Sequence, residues 1–193
     1  MSDTPVRTAK ESERSRVVAA IVAGFVADPV ARWCWPQASA YLANMPRFVD
    51  AYGGRAFAHD CAWTDEAFLG GALWLPPGTV PDEEELEGVV TSTMSEERQG
   101  QLFGALEELG GYHPDEPHWF LPLIAVDPIA QGQGIGSHLM KDALARVDDT
   151  GARAYLESSN PRNVSLYERH GFRVIGEVRS GDSPLFTAML SEP

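Results

Sequence analysis

Apolar positions in the first half of the chain recur mostly at the spacing of amphipathic helices. Val18, Ile21 and Phe25 fall on one helical face, and the pair Asp28-Pro29 is expected to end this first helix. Helices are predicted over Ser12–Ala27, from just after Pro36 to Ala51, from the start of the acidic run 82–87, and over Ser95–Leu109.

Between these helices the spacing changes to that of strands. Two short apolar runs within residues 55–78 predict an antiparallel hairpin, with its turn at Thr64-Asp65-Glu66 and its end at Pro76-Pro77-Gly78. A first short strand is expected near Val6–Ala9, within a tail of residues 1–10. The first half therefore combines helices with a small β-structure.

The second half alternates strands and helices. His118–Val126 is a continuous apolar run, which is typical of a strand buried on both faces. After it we predict a helix over 134–148, a strand over 153–158, a short helix from Asn160 to Arg169, and strands within 172–178 and 183–190. This order predicts one mixed α/β sheet in a single domain over 1–193.

Composition narrows the class of protein. The 193 residues carry a net charge of −13 at pH 7, which disfavours binding to nucleic acid phosphates. No apolar run approaches the roughly 20 residues of a membrane span, and Met1–Arg16 has no signal-peptide core. We therefore expect a cytoplasmic protein without a nucleic acid or membrane partner. Cys34 and Cys61 lack the spacing of metal ligands, so no metal site is predicted.

A glycine-rich turn, Gln131-Gly132-Gln133-Gly134-Ile135-Gly136, lies between the buried strand and the next helix. Glycines allow a ligand to approach the backbone, and a helix start offers unpaired N–H groups, so this turn predicts a pyrophosphate site. A Walker loop is disfavoured because no Lys follows the glycines. A Rossmann fingerprint is disfavoured because Ser137 replaces the third glycine and too little chain follows.

Two motifs in the expected order resemble those of the GNAT superfamily of N-acetyltransferases. VDPIAQGQGIGSHLM, residues 126–140, is similar to its motif A, and NPRNVSLYERHGF, residues 160–172, is similar to its second signature. Together with EPHWFL before motif A, they most resemble the puromycin N-acetyltransferases. The resemblance covers about 117–178, the expected acetyl-CoA-binding core, and leaves about 10–115 as the acceptor side.

The resemblance implies a GNAT fold. That fold is an α/β (α+β) domain with a mixed, mostly antiparallel sheet of about six or seven strands, a splayed parallel pair, and helices on both faces. It also implies that acetyl-CoA lies along the strand that ends at Val126. The residues that it assigns to cofactor binding are Ile124, Ala125, Val126, Gln131, Gly132, Gln133, Gly134, Ile135, Gly136, Ser137, Asn160, Asn163 and Tyr167.

Tyr167 is the leading catalytic candidate, because the resemblance puts a Tyr at this position near the cofactor sulfur. A phenol could supply the proton that the departing thiolate needs. Many relatives carry a general base four to six residues before Val126, where this chain has Phe120, Leu121 and Pro122. Glu157 and His118 are the candidate bases, acting directly or through water.

The predicted function is transfer of an acetyl group to a primary amine of a small molecule. Attack is expected within a ternary complex, because no motif assigns either cysteine as a covalent relay. An acyl-CoA-binding sensor without turnover remains the alternative, and a homodimer is possible. Trp33, Trp35 and Trp74 are candidates for the wall of an apolar acceptor pocket.

Overall fold

A seven-stranded sheet forms the centre of the computed structural model, which describes residues 5–193. The strands are β1 (Val6–Thr8), β2 (Ala62–Asp65), β3 (Gly70–Leu75), β4 (Trp119–Val126), β5 (Ala154–Ser158), β6 (Arg173–Val178) and β7 (Phe186–Ser191). Their order is β1-β2-β3-β4-β5-β7-β6, and only β4 and β5 run parallel. The predicted mixed sheet is confirmed, and the Rossmann alternative, which needs a parallel sheet, is wrong.

Seven α-helices accompany the sheet within the described residues. They are α1 (Arg14–Gly24), α2 (Pro29–Cys34), α3 (Ala38–Gly53), α4 (Glu83–Thr93), α5 (Glu96–Gly110), α6 (Ile135–Asp148) and α7 (Val164–Glu168). Helices α1 and α3 pack on β3 and β4 from one side, and α6 packs on the sheet from the other. Helices therefore cover both faces, as expected. None of the helices in 5–193 is long and apolar enough to cross a membrane.

Helix α2 is the one helix that the sequence did not predict. The pair Asp28-Pro29 ends α1 but also begins α2, because the Asp28 carboxylate accepts hydrogen bonds from the N–H groups of Val30 and Ala31, both at 3.0 Å. Pro29 suits the first helical position, where an N–H would have no partner inside the helix. The same two residues thus separate two helices instead of opening a loop.

The β2–β3 hairpin is present, but its predicted turn is two residues too early. Thr64 and Asp65 belong to strand β2, and the turn covers 66–69. The Asp65 carboxylate accepts hydrogen bonds from the N–H groups of Ala67, Leu69 and Gly70 at 2.7–3.0 Å. This buried carboxylate closes the loop from the strand side, which the local pattern of apolar residues did not indicate.

Pro122 marks the point where the parallel strands separate. Pairing of β4 with β5 runs from Trp119 opposite Ala154 to Leu121 opposite Leu156. The next residue, Pro122, has no N–H with which to continue a ladder. The register between β3 and β4 also shifts there, as in a β-bulge. Beyond Pro122, β4 stays paired with β3 as far as Val126, and the side that faced β5 is open.

The open end of β4 is supported from one side by the last turn of α1. A Cβ atom added to Gly24 would lie 2.6 Å from the Ala125 Cβ atom and 2.9 Å from the Val126 carbonyl oxygen. Glycine is therefore required for this close approach, because the backbone of a paired strand cannot move aside as a flexible side chain can. The position of the splayed strand depends on this contact.

Substitution of Gly24 tests this support. We expect Gly24→Ala to lower the free energy of unfolding by about 1–3 kcal/mol, the usual cost of overpacking. Gly88→Ala in α4 is the matched control, since its Cβ would meet nothing within 4 Å and helical Ala is favoured over Gly by about 0.5–1 kcal/mol. Urea denaturation measures both, and a Gly24→Ala protein as stable as the wild type would contradict the close contact.

Candidate active site

The opening between β4 and β5 leads into a cavity of about 490 Å³. Its wall is mostly apolar and includes several aromatic side chains, which are Phe25, Trp35, Phe48, Tyr52, Phe103, Tyr167 and Phe186. Four carboxylates also reach it, namely Asp28, Glu83, Glu87 and Glu157. Strand β4 contributes Leu121, Pro122, Leu123 and Ile124. The cavity can therefore hold an apolar group together with a positive charge.

Tyr167 lines this cavity from α7 and is buried. Burial raises its pKa above the ordinary value of a phenol, and the charge of Asp28 adds to the effect. The hydroxyl therefore stays protonated at physiological pH. Within residues 5–193, the Tyr167 hydroxyl donates no hydrogen bond, so its proton can be donated into the cavity.

Cys34 shows how burial in this cavity changes the pKa of a thiol. It lines the same cavity, and burial raises its pKa to about 12. Such a thiol is not a nucleophile at neutral pH. Any thiolate formed in this cavity would be held in the same apolar surroundings and would be strongly basic, so that a protonated phenol nearby is a suitable donor.

Asp28 connects the start of α2 to the chain that follows β5. Besides capping α2, its second carboxylate oxygen accepts a hydrogen bond of 2.7 Å from the Ser159 hydroxyl. Burial raises the pKa of Asp28, although its hydrogen bonds from Ala31, Ser159 and Val30 counteract part of this effect. One buried carboxylate thus joins the helical side of the cavity to the sheet.

Glu157 lies on β5 at the boundary of two cavities. Its side chain is 9% exposed and receives hydrogen bonds from the hydroxyls of Tyr52, at 3.0 Å, and Tyr155, at 3.2 Å. Burial, together with the Glu157 charge, raises the pKa of both phenols. They therefore act as donors that stabilise a carboxylate. On its other side, Glu157 Oε1 lies 3.4 Å from the His113 ring.

His118 lines the second cavity, which has a volume of about 530 Å³ and shares Glu157 with the first. Its Nε2 atom lies 3.0 Å from His113 Nδ1. The two candidate bases are thus not in direct contact but are joined through His113, which the sequence reading did not single out. Burial lowers the pKa of His118, with a smaller contribution from charge on His113.

The glycine-rich turn presents a row of backbone N–H groups. Gly132 and Gly134 have φ angles of +76° and +91°, which favour glycine. Within the described chain, the N–H groups from Gln131 to Ser137 donate to no other backbone carbonyl. They lie at the positive end of the α6 dipole. This arrangement suits the oxygens of a pyrophosphate, as the sequence predicts.

Side chains of this turn hold its shape. Gln131 donates through Nε2 to the Val126 carbonyl at 3.1 Å, and Gln133 donates to the Ile129 carbonyl at 3.3 Å. Ser137 Oγ lies 2.8 Å from His170 Nε2, which links α6 to the end of α7. Ile135 is buried in the core, as expected for the inward residue of the first helical turn. These side chains therefore brace the turn without accepting hydrogen bonds from its N–H groups.

The remaining candidate residues fall into three groups. Asn163 and Ile124 line the first cavity. Ala125 and Val126 lie at the supported end of β4, outside its wall. Asn160 caps the short 3-10 helix that follows β5, because its Oδ1 atom accepts a hydrogen bond from the Arg162 N–H at 3.1 Å. Its side chain therefore has a structural role that is independent of any ligand.

Of the three tryptophans considered for the acceptor pocket, one lines it. Trp35 lies in the wall and donates through Nε1 to the Thr93 hydroxyl at 3.0 Å. Trp33 instead donates to Asp182, at 3.2 Å, and Trp74 is completely buried in β3. Neither belongs to the residues that line the cavity.

The structure adds four residues to the candidate site that the sequence reading missed: Asp28, Tyr52, His113 and His170. The aromatic pair Phe48 and Tyr52, one helical turn apart, was a visible signal. So were the two histidines that flank the segment Pro-Asp-Glu-Pro before β4. The local sequence around Asp28 indicated only a helix boundary, and that around His170 indicated only the end of a helix. Neither pattern indicated a place in the site.

Comparison with known proteins agrees with this geometry. The model of the acetyltransferase (GNAT) family matches residues 29–172, which is more than half of the chain. The chain therefore belongs to the GNAT family of acetyltransferases. The glycine-rich turn, β4 and most of the cavity wall lie within the matched range.

Solved structures of acetyltransferases share the fold over nearly the whole chain. A Corynebacterium glutamicum protein, described as histone acetyltransferase HPA2 and related acetyltransferase, has a TM-score of 0.69 at 24% identity, covering 97% of this chain and 95% of its own. Arylalkylamine N-acetyltransferase 2 of Aedes aegypti has a TM-score of 0.67 at 12% identity, covering 99% of both chains. At these identities the likeness establishes the fold alone.

Two curated relatives match shorter stretches. A mycothiol acetyltransferase of Propionibacterium freudenreichii is 30% identical over 109 residues, which cover 46% of this chain and 35% of the relative. A probable serine/threonine-protein kinase of Dictyostelium discoideum is 32% identical over 63 residues, which cover 33% of this chain and 8% of the relative. The chain therefore spans only a minor part of the length of both proteins.

Substitution of Asp28 tests its role as the connection between α2 and the sheet. Asp28→Ala should lower the free energy of unfolding by about 1–2 kcal/mol through loss of the cap. Asp28→Asn should retain the cap, because the Asn oxygen can accept the same two N–H groups. Equal stability of the two variants in urea would contradict the assignment.

The pH dependence of the same variants has a definite sign. Since the pKa of Asp28 is raised above 3.8, the folded state holds this proton more tightly than the unfolded state. The resulting contribution to stability is present below pH 3.8 and is lost as the pH rises through the raised pKa. The stability of Asp28→Asn relative to wild type should therefore increase as the pH rises through this window.

Proposed function

We propose that this protein transfers the acetyl group of acetyl-CoA to the primary amine of a small molecule. The observation that carries the proposal is the first cavity, which is lined both by a buried, protonated phenol, Tyr167, and by a carboxylate, Glu157. Amine acetylation requires a donor for the departing thiolate and an acceptor for the amine proton. The cavity opens where β4 separates from β5.

The fit to acetyl-CoA depends on the glycine-rich turn. Its unpaired N–H groups suit a diphosphate, and the open edge of β4 from Leu123 to Val126 suits the amide groups of the pantetheine arm. Acetyl-CoA would supply the activated thioester. The Ile124 N–H is our candidate for polarising its carbonyl, and Asn163 and Ser137 are candidates for further contacts.

In the proposed reaction, two side chains of this protein move protons. Glu157 accepts a proton from the bound ammonium group, so that the free amine can attack. Tyr167 donates its phenolic proton to the thiolate that leaves. The raised pKa of Tyr167 is compatible with this role because the same burial makes a thiolate strongly basic, as the thiol of Cys34 indicates.

The cavity wall favours an amine with a large apolar or aromatic body. Aromatic side chains form much of the wall, and carboxylates of α4, Glu83 and Glu87, reach it from the outer side. Apolar walls reward burial of an apolar group, and carboxylates favour a cation. The net charge of −13 would also draw cationic amines toward the protein.

Relatives and sequence resemblance suggest which amines to test. The solved relatives include arylalkylamine N-acetyltransferase 2 and an agmatine N-acetyltransferase. The segments EPHWFL and LESSNPRNVSLYERHGF most resemble puromycin N-acetyltransferases, so puromycin belongs in the panel. The cytoplasmic location and a homodimer stay predictions from the sequence.

Two linked measurements test the proposal. Calorimetric titration measures acetyl-CoA binding, and a thiol-release assay measures turnover with puromycin, 2-phenylethylamine, tryptamine, agmatine and spermidine. We expect binding and thiol release with at least one apolar amine. Binding without release on any amine would favour the alternative of an acyl-CoA sensor, and absence of binding would refute the proposed cofactor.

Substitution of Tyr167 separates catalysis from binding. Tyr167→Phe should lower kcat by about a hundredfold or more, because general acid catalysis contributes roughly 10²–10⁴ to the rate. Its affinity for acetyl-CoA should remain that of the wild type, since the ring and its packing are retained. A variant with unchanged kcat would contradict the assigned role.

Substitution in the glycine-rich turn tests the cofactor site. Gly134→Ala forces a side chain into a φ of +91°, which costs about 1–2 kcal/mol of folding stability. Gly151→Ala is the matched control, because Gly151 also has a positive φ, of +64°, and open space around its Cβ position. Both variants should be destabilised to a similar extent. Only Gly134→Ala should also weaken acetyl-CoA binding, about tenfold or more, by calorimetry; equal affinities would contradict the site.

A further inference from the structure

A proton accepted by Glu157 must leave it again before the next catalytic cycle. The carboxylate contacts three groups that could take part, namely Tyr52, Tyr155 and His113. The two phenols are donors with raised pKa values, so they cannot accept a proton from a carboxylic acid. The His113 ring is the one basic neighbour of Glu157 within residues 5–193.

The hydrogen bonds of His118 decide which nitrogen of His113 is available. His118 Nδ1 lies 2.9 Å from the Glu116 carbonyl oxygen, which can only accept, so Nδ1 of His118 carries the hydrogen. In the neutral ring, His118 Nε2 is therefore an acceptor, and His113 Nδ1 donates to it at 3.0 Å. This leaves a lone pair on His113 Nε2, the ring atom that lies 3.4 Å from Glu157 Oε1.

The surroundings of His113 provide a route by which a proton can reach solvent. Its side chain is 30% exposed, whereas that of Glu157 is 9% exposed. Both histidines line the second cavity, on the side of Glu157 away from Tyr167. A proton could thus move from the first cavity to the second without passing the bound substrates.

We propose that His113 takes the proton from Glu157 and releases it into the second cavity, while His118 positions the His113 ring. This inference rests on the proposed acetyl transfer. The amine N–H bond breaks as an O–H bond forms on Glu157. That proton then passes to the lone pair of His113 Nε2, which restores the carboxylate, and the imidazolium returns a proton to water in the second cavity.

Several other ionisable groups face the Glu157–His113 pair. They are Tyr52 from α3, Tyr112 after α5, Tyr155 from β5, Glu83 from α4, Asp115 and Glu116 from the preceding loop, and His118 beside β4. All of them are retained in a His113 variant. A difference in kcat/KM between that variant and the wild type at the same pH therefore reports on His113.

Kinetics with an accepted amine of the panel, such as 2-phenylethylamine, tests the relay. His113→Ala should lower kcat/KM at pH 7 by about tenfold to a hundredfold. This loss is smaller than the roughly 10²–10⁴ of full general acid–base catalysis, because Glu157 is retained. The loss should shrink as the pH rises and more amine is deprotonated in solution. Added imidazole should restore part of the rate through the second cavity. A pH-independent loss without rescue, or no loss, would overturn the proposal.

Two further variants keep the kinetic result interpretable. His113→Gln retains the size of the side chain and should lose the same pH-dependent activity even if His113→Ala folds poorly. His59→Ala removes an exposed histidine that takes no part in the His113–His118 or His113–Glu157 contact. This variant should keep the wild-type pH profile and show no response to imidazole. An equal response of His59→Ala to imidazole would overturn the assignment to His113.

A measurement without substrate separates this proposal from the proposed function. Long-range ¹H–¹⁵N spectra of the five histidines, assigned with His113→Gln and His118→Gln, report which ring nitrogen carries the hydrogen. We expect both neutral rings in the Nδ1–H form. An Nε2–H form of either ring would overturn the relay, whatever the turnover. Correct tautomers with no acetylated amine would instead count against the proposed function.

Discussion

The splay of β4 from β5 at Pro122 is the constraint on which the rest of the site depends. A parallel pair would normally bury the carboxyl ends of both strands in a continuous ladder. A residue without an N–H, placed at a register shift, stops the ladder after Leu121. Three of the leading candidate groups are then brought to the gap. The glycine-rich turn follows β4, Glu157 lies on β5, and Tyr167 comes from the helix after it.

Burial then sets the protonation of the ionisable groups that line the gap. The same loss of water raises the pKa values of Tyr167, Cys34 and Asp28, which keeps the phenol and the thiol neutral. Glu157 differs because its oxygens accept hydrogen bonds from two phenols, those of Tyr52 and Tyr155. A protonated phenol on one side and a hydrogen-bonded carboxyl group on the other give proton movement in the cavity a direction.

Local patterns predicted the elements whose signals lie close together in sequence. The buried strand before Val126, the glycine-rich turn and the second motif could all be read from a few adjacent residues. Helix α2 was missed because Asp28-Pro29 both ends and begins a helix. The pairing of Tyr52 with Glu157 spans 105 residues of sequence, and no local pattern reports a contact that tertiary packing creates. The same holds for His113, whose partners come from β5 and the start of β4.

The cavity is built by two sets of elements. The sheet, α6 and α7 hold the groups assigned to the donor, whereas α4 and α5 supply acidic and apolar wall residues. Helix α4 packs mainly on α3, and α5 packs on α4 and on β6. Replacing inward-facing residues of these two helices would alter the acceptor wall without touching the glycine-rich turn. Selectivity can therefore drift in evolution, or be redesigned, while the donor half of the enzyme is left intact.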